Sequence, residues 1–211
     1  MNYFLGIEAV RNSDQVMTLC QTKYIKELLV KVGMQEAKAI PTLMASSLKL
    51  SVQGGELFQN PAQYRSVVGG LQYATITRPE ISYAVNKVSQ FMHQLLDNHW
   101  KAVKQILGYL AGTLQHGLRF QKSDESRIYA LTDSDWGSDV DDRKSTSGFC
   151  VFYGPNLVSW SSRKQHVISR SSTEAEYIGI AAGLAEVIWL QNLLNEMRIP
   201  CTTKPNLYCD S

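Results

Sequence analysis

The spacing of apolar positions along this chain turns from helical to strand-like near residue 117. From residue 22 to residue 112 they recur at helical intervals; from residue 117 they come in short strand-like runs, interrupted by one long helical stretch. Ahead of both, residues 3–20 hold two apolar runs, YFLGIEAV and VMTLC, around the polar turn Arg11-Asn12-Ser13-Asp14-Gln15. That pattern predicts a hairpin. Thr22 is a suitable N-cap for a helix over 23–32, with Ile25, Leu28, Leu29 and Val32 on one face and Gly33 as its stop. Residues 34–60 read as a polar connector containing Pro41 and Gly54-Gly55. Helical periodicity then covers 62–75, 81–96 and 100–110; Arg78-Pro79 separates the first two and Gly112 closes the last.

In the second half the apolar runs fall at 117–121, 127–132, 147–153, 157–160 and 165–169. A single helix is predicted from Ser172 or Thr173 to about Met197, and a last strand at 206–209. Hairpin strands, then a helix, then another strand indicate an α+β or mixed α/β fold. The boundary between the helical and the sheet-forming parts is expected between residues 112 and 124.

Charge sharpens this division. The 211 residues carry a net charge of +2, but residues 1–122 hold 13 Lys/Arg against 7 Asp/Glu, and residues 123–211 hold 8 against 12. A basic half beside an acidic half suits a polyanion-binding surface joined to a metal-binding centre, although uneven solvated faces would give the same numbers. Apolar residues make up 44% of the chain, enough for a sizeable core. Cys20, Cys150, Cys201 and Cys209 lack paired short spacing, which argues against a zinc knuckle or a disulfide framework and fits thiols in a reducing compartment. Residues 1–10 lack a secretory leader, so an intracellular location is expected without a compartment being fixed. The longest uncharged stretch, 145–162, is rich in serine and glycine and reads as a hairpin; no membrane partner is expected.

Three acidic residues close this pattern. Asp133 ends a strand-like run, Glu176 lies in the first turns of the long helix, and Asp210 follows the last strand. Two divalent ions ~3.5–4 Å apart need several hard oxygen ligands brought together from separate elements, and this order can supply them. A calcium loop over LTDSDWGSD fails, because its sixth position is Ser138 and its twelfth is Lys144. Glu174 and Glu176 point to nearly opposite sides of a helix. Glu174 suits the helix N-terminus, whereas Glu176 shares a stripe with Gly179, Gly183 and Val187 that would let the helix approach a sheet closely. Segment 139–144, DVDDRK, reads as a solvated turn. In the helical half, Tyr64, Arg65, Tyr73, Arg78, Tyr83, Lys87, His99, Trp100, Lys101 and Lys104 interleave aromatics with bases. They suit either a nucleic-acid groove or an aromatic core with a basic surface, and the spacing favours the core.

The runs YFLGIEA, CQTKYIKELLVKVGM and YRSVVGGLQYATITRPEISYAVNKVSQFM, followed by HWKAVKQILGYLAGTLQHGL, resemble copia-type retrotransposon Pol polyproteins of plants just after the polymerase centre. TDSDWGSDVDDRKSTSGFCVFYGPNLVSWSSRKQHVISRSSTEAEY and LYCDS resemble the ribonuclease H domain of the same polyproteins. The resemblance implies a late palm hairpin and thumb- or connection-like helices over 1–116. Over 117–211 it implies a truncated ribonuclease H-like fold, a mixed sheet with a long packed helix. It further implies RNA–DNA hybrid as substrate, the rest of the Pol polyprotein as partner, and two Mg²⁺ ions held by catalytic Asp133, Glu176 and Asp210. In the family the polymerase aspartates belong upstream of Tyr3, and the fourth ribonuclease carboxylate belongs downstream of Ser211. Cleavage by this chain alone is therefore expected to be negligible. A non-enzymatic interaction module retained by a host, and a relic without function, remain as alternative readings.

Overall fold

The computed structural model describes residues 3–12, 16–44, 49–199, 201 and 203–210. Residues 13–15 of the first predicted turn and Ser211 of the last motif lie outside them. The chain divides into two compact units; apart from Asn12 and Val16, which group with the second, the change-over falls after Leu118. The fold is mixed α/β, with two four-stranded sheets and five α-helices among the described residues.

In the first unit, strands β1 (Tyr3–Phe4), β2 (Ile7–Arg11) and β3 (Met17–Cys20) pair antiparallel. The sheet order is β1-β2-β3-β4, where β4 is Leu118–Phe120 at the change-over. The helices are α1 (Thr22–Lys31), α2 (Pro61–Ala74), α3 (Ser82–Ser89) and α4 (Asp97–Gly112), with a 3-10 turn at Pro79–Ile81. Their apolar faces meet in one core that includes Ile25, Leu28, Val67, Leu71, Val85, Val103 and Ile106. Pro61 opens α2 where no helical N–H is lost, and Asn60 Oδ1 accepts from the Gln63 amide as its cap.

Two expectations need correcting here. The periodicity over 81–96 carries a helix only to Ser89. Phe91, Leu95 and Leu96 are still buried, but in an irregular segment whose Leu95 carbonyl accepts from the Phe58 amide. The apolar repeat marked burial, and tertiary pairing with residues 57–58 decided the backbone. The connector 34–60 is likewise not simply polar, because Leu43, Met44, Leu50, Val52 and Phe58 all pack on the helical core.

The second unit holds β5 (Ile128–Ser134), β6 (Thr146–Tyr153), β7 (Asn156–Lys164), the long helix α5 (Ser172–Glu196) and β8 (Asn206–Tyr208). Its sheet runs β7-β6-β5-β8, antiparallel except for the parallel β5–β8 pair. A mixed sheet under one long helix is the ribonuclease H-like arrangement. Residues 165–169 are not the separate strand expected: β7 already extends to Lys164, and the segment beyond it is irregular. Helix α5 buries Ala175, Gly179, Gly183, Val187, Leu190 and Leu194 and leaves Tyr177, Leu184, Ile188 and Trp189 exposed. By length and composition alone it could cross a membrane, but one of its faces is packed inside this unit.

Candidate metal centre

Strand β5 alternates. Ile128, Ala130, Thr132 and Ser134 are buried, while Leu131 and Asp133 are exposed. The buried set lies beneath the glycine stripe of α5. A Cβ on Gly179 would collide with Ser134 Oγ, and one on Gly183 would come within 2.5 Å of Thr132 Cγ2. Only bare backbone fits there, and that close approach lowers the start of α5, with Glu176, onto the end of β5.

Parallel pairing brings in the third residue. The β5–β8 ladder ends at the pair Leu131 and Tyr208. Asp133 and Asp210 each stand two residues beyond that pair, so continuing the register places them side by side. Oxygens of Asp133, Glu176 and Asp210 lie within 4.8 Å of one another. The three predicted site residues thus come together, from a strand, a helix and the end of a neighbouring strand.

The cluster is electrostatically unfinished. Glu176 Oε2 is buried and has no hydrogen-bond partner among the described residues. Burial, and then the charges of Asp210 and Asp133, push the Glu176 carboxyl above the usual glutamate range; a hydrogen bond from the Ser134 amide only partly offsets them. Three convergent carboxylates, one with an orphaned oxygen, form the hard-oxygen donor set that a divalent cation takes, so the residues present fit such an ion.

The neighbouring acidic residues are occupied otherwise. Asp135 accepts from the Thr146 amide at 2.8 Å and from Ser138 Oγ at 2.7 Å, which closes the turn after β5. Glu174 Oε2 accepts from the Arg170 amide, and Ser171 Oγ accepts from the Glu174 amide, a capping arrangement at the start of α5. Segment 139–144 is more than a solvated turn. Asp139 is buried, pairs with Lys164 at 2.8 Å, and accepts from the Asp141 amide. Lys164 also reaches Asp142 at 2.9 Å. Burial would raise the Asp139 carboxyl, but these hydrogen bonds and the Lys164 charge prevail and hold it below the usual aspartate range.

The aromatic and basic candidates of the helical half divide: Tyr64, Arg78 and His99 are buried, Tyr73, Lys87 and Trp100 half-buried, and Tyr83 exposed with the remaining bases. Tyr64 is buried, its hydroxyl donating to the Val88 carbonyl, and burial raises its pKa. His99 stacks on Phe91, accepts the Leu96 amide at Nδ1, and donates from Nε2 to the Ser51 carbonyl. Trp100 stacks on Phe58. Arg65, Lys101 and Lys104 remain exposed. Sequence reasoning assigns no role to Gln165, yet its buried amide ties three elements together by donating to Ser147 Oγ and the Ala175 carbonyl and accepting from Ser169 Oγ. The apolar residues around it gave the run a strand-like look, and a lone glutamine carries no signal against that.

No protein-family model matches the chain. Retrovirus-related Pol polyproteins from the transposons RE2 and RE1 of Arabidopsis thaliana are 45% and 46% identical to it over all 211 residues. The chain spans 14% of the length of each of these relatives. An uncharacterized mitochondrial protein of Arabidopsis thaliana is 42% identical over 189 residues, which are 90% of this chain and 78% of that protein. With such identity running through the helical half, the carboxylate-bearing strands and the long helix alike, the chain belongs to the Pol polyproteins of copia-type plant retrotransposons.

Proposed function

We propose that the second unit is a ribonuclease H centre that cleaves the RNA strand of an RNA–DNA hybrid in a cation-dependent manner. Residues 1–116 are then the late palm hairpin and thumb-like helices of the reverse transcriptase, and the remaining Pol polyprotein is their working context. One observation carries this reading: the convergence of Asp133, Glu176 and Asp210 to within 4.8 Å. When bound, a pair of Mg²⁺ ions would activate the attacking water and stabilise the leaving oxygen. Asp133 and Asp210 offer their oxygens from the open, water-facing end of the sheet. Glu176 is brought toward them by the close seat of α5 on β5.

Three carboxylates are fewer ligands than two hard cations call for. The 211-residue chain is therefore expected to bind hybrid and cation but to turn over negligibly. Incubation with Mn²⁺ or Mg²⁺ and a labelled hybrid tests this. Mn²⁺ binding lost in both Asp133→Asn and Glu176→Gln, with little hydrolysis, is the expected result. Robust hydrolysis that Asp133→Asn abolishes would refute the inactivity and keep the centre; Mn²⁺ binding unaffected by either variant would sink the centre itself.

A further inference from the structure

Trp136 combines exposure with immobility. Its side chain is 58% exposed, yet Nε1–H donates to the Ser169 carbonyl at 3.1 Å. The backbone on either side of it is fixed. The Asp135 amide donates to the Thr146 carbonyl at 3.0 Å, and the Gly137 amide donates to Ser145 Oγ at 3.0 Å. Gly137 sits at φ +57°, a turn that an L side chain would strain.

The acceptor side is equally held. Ser169 Oγ donates to Gln165 Oε1 at 2.9 Å, and Gln165 Nε2 donates to the Ala175 carbonyl at 3.0 Å, one residue before Glu176. One buried network thus locks the indole, the end of the sheet and the first turn of α5 into a single frame. Asp133 is three residues from Trp136, at most about 10 Å of chain. The segment that holds the indole also exposes Val167 (55%), Ile168 (59%) and the cation Arg170. An aromatic ring whose freedom is already lost loses little more when a flat partner covers it.

We infer that Trp136, with Val167 and Ile168, is a positioning platform that packs against minor-groove sugars of an RNA–DNA hybrid and sets the strand against the three carboxylates. Paired bases already have both faces stacked on their neighbours, so a duplex offers an indole its sugar edges. In A-like helices these line a wide, shallow minor groove. Arg170 beside the apolar patch suits the flanking phosphates. The inference rests on reading the carboxylate cluster as a nuclease centre, because that reading supplies the duplex.

Anisotropy of a labelled hybrid titrated with the full chain in Ca²⁺ tests it, with thermal melting of each variant in parallel. Trp136→Ala should raise Kd at least tenfold without changing the salt slope, since no phosphate contact is lost. Trp136→Phe should stay within threefold of wild type although it loses the Nε1–H bond. Equal Kd for wild type and Trp136→Ala overturns the platform. So does Trp136→Phe binding as weakly as Trp136→Ala, which would mean that only the Ser169 pin matters. Failure of the wild type to bind hybrid also overturns it, while Mn²⁺ binding at the carboxylates would still favour the nuclease reading. A Trp136→Ala effect with no Mn²⁺ binding would keep the platform and overturn the nuclease.

Discussion

Arg78 in the first unit and Glu176 in the second are both ionisable groups drawn away from water, and their surroundings differ in kind. Arg78 is fully buried and spends its donors inside the protein: Nε on Glu80 at 2.6 Å, Nη1 on the Thr113 carbonyl at 3.1 Å, and Nη2 on Thr113 Oγ1 at 2.6 Å. Its guanidinium also lies over the Tyr109 ring. Glu176 faces two like charges and keeps one buried oxygen without a donor. A buried polar group whose bonds are complete has been used to specify the fold. One left incomplete among like charges costs stability until something from outside arrives, and perturbed groups of that kind gather at functional sites.

Arg78 offers the largest expected effect. Arg78→Met should leave the Thr113 carbonyl and hydroxyl without their charged donor, while Glu80, partly exposed, turns to water. It should cost about 2–4 kcal/mol, since each lost hydrogen bond to a charged group is worth about 1.5–3 kcal/mol. Peptide-resolved hydrogen exchange should place the loss in α2, α3 and α4. Because the chain has two units, a local probe is the right measurement, not a single transition midpoint. A loss under about 1 kcal/mol would contradict the structural role given to this network.

Next come the glycines that seat α5. Gly179→Ala and Gly183→Ala each force a methyl into Ser134 or Thr132. Each should cost about 1–3 kcal/mol by overpacking. Because the same contact sets Glu176 over β5, both should also weaken Mn²⁺ binding, although neither residue can touch the cation. Destabilisation with unchanged Mn²⁺ affinity would separate the seat from the site.

A smaller effect, and one with a pH signature, is expected at the Lys164 clasp. The Asp139 pKa is depressed in the folded chain, so its contribution is fully present above the ordinary aspartate pKa and is lost as pH falls through the folded value. Lys164→Ala should cost about 1–2 kcal/mol at neutral pH and flatten the acid limb of a stability–pH curve. An unchanged acid limb would mean that the clasp contributes nothing to acid stability.

Legibility differed between the units for physical reasons. In the second, period-2 runs and a glycine stripe made the long helix and its seat readable from residue types, whereas the Asp–Glu–Asp order only suggested a cluster and the family resemblance supplied the roles of its members. Strand 165–169 misled because burial there serves the hydrogen bonds of Gln165 and Ser169, which leave no periodic trace. In the first unit the helices were legible, but the end of α3 at Ser89 was not. Phe91 and Leu95 keep a helical spacing of apolar positions while the backbone departs to pair with Phe58. The aromatic and basic interleaving around Tyr64 and His99 was ambiguous because spacing fixes a face of a helix, not what covers that face.

The smallest stability effect bears most directly on the contrast between the two units. A glutamate whose folded pKa is raised contributes stability that is present below its ordinary pKa and is lost as pH rises through the folded value. Without a divalent cation, Glu176→Gln should therefore raise the melting temperature of the second unit at neutral pH, by roughly 2–4 °C. It should also remove the part of the decline that sets in as pH rises from the ordinary glutamate pKa through the raised value. In the wild type, added Mg²⁺ should give a saturable rise, because a cation that binds only the folded cluster stabilises it in proportion to the logarithm of its concentration over Kd. The variant should show no such rise. Arg78→Met should show no gain in the absence of cation, since Arg78 already has its partners, and should keep the wild-type response of the second unit to Mg²⁺. If Glu176→Gln melts lower than wild type in the absence of cation, then the Ser134 amide outweighs the repulsion of Asp133 and Asp210, and the cluster is a structural feature of the strand end.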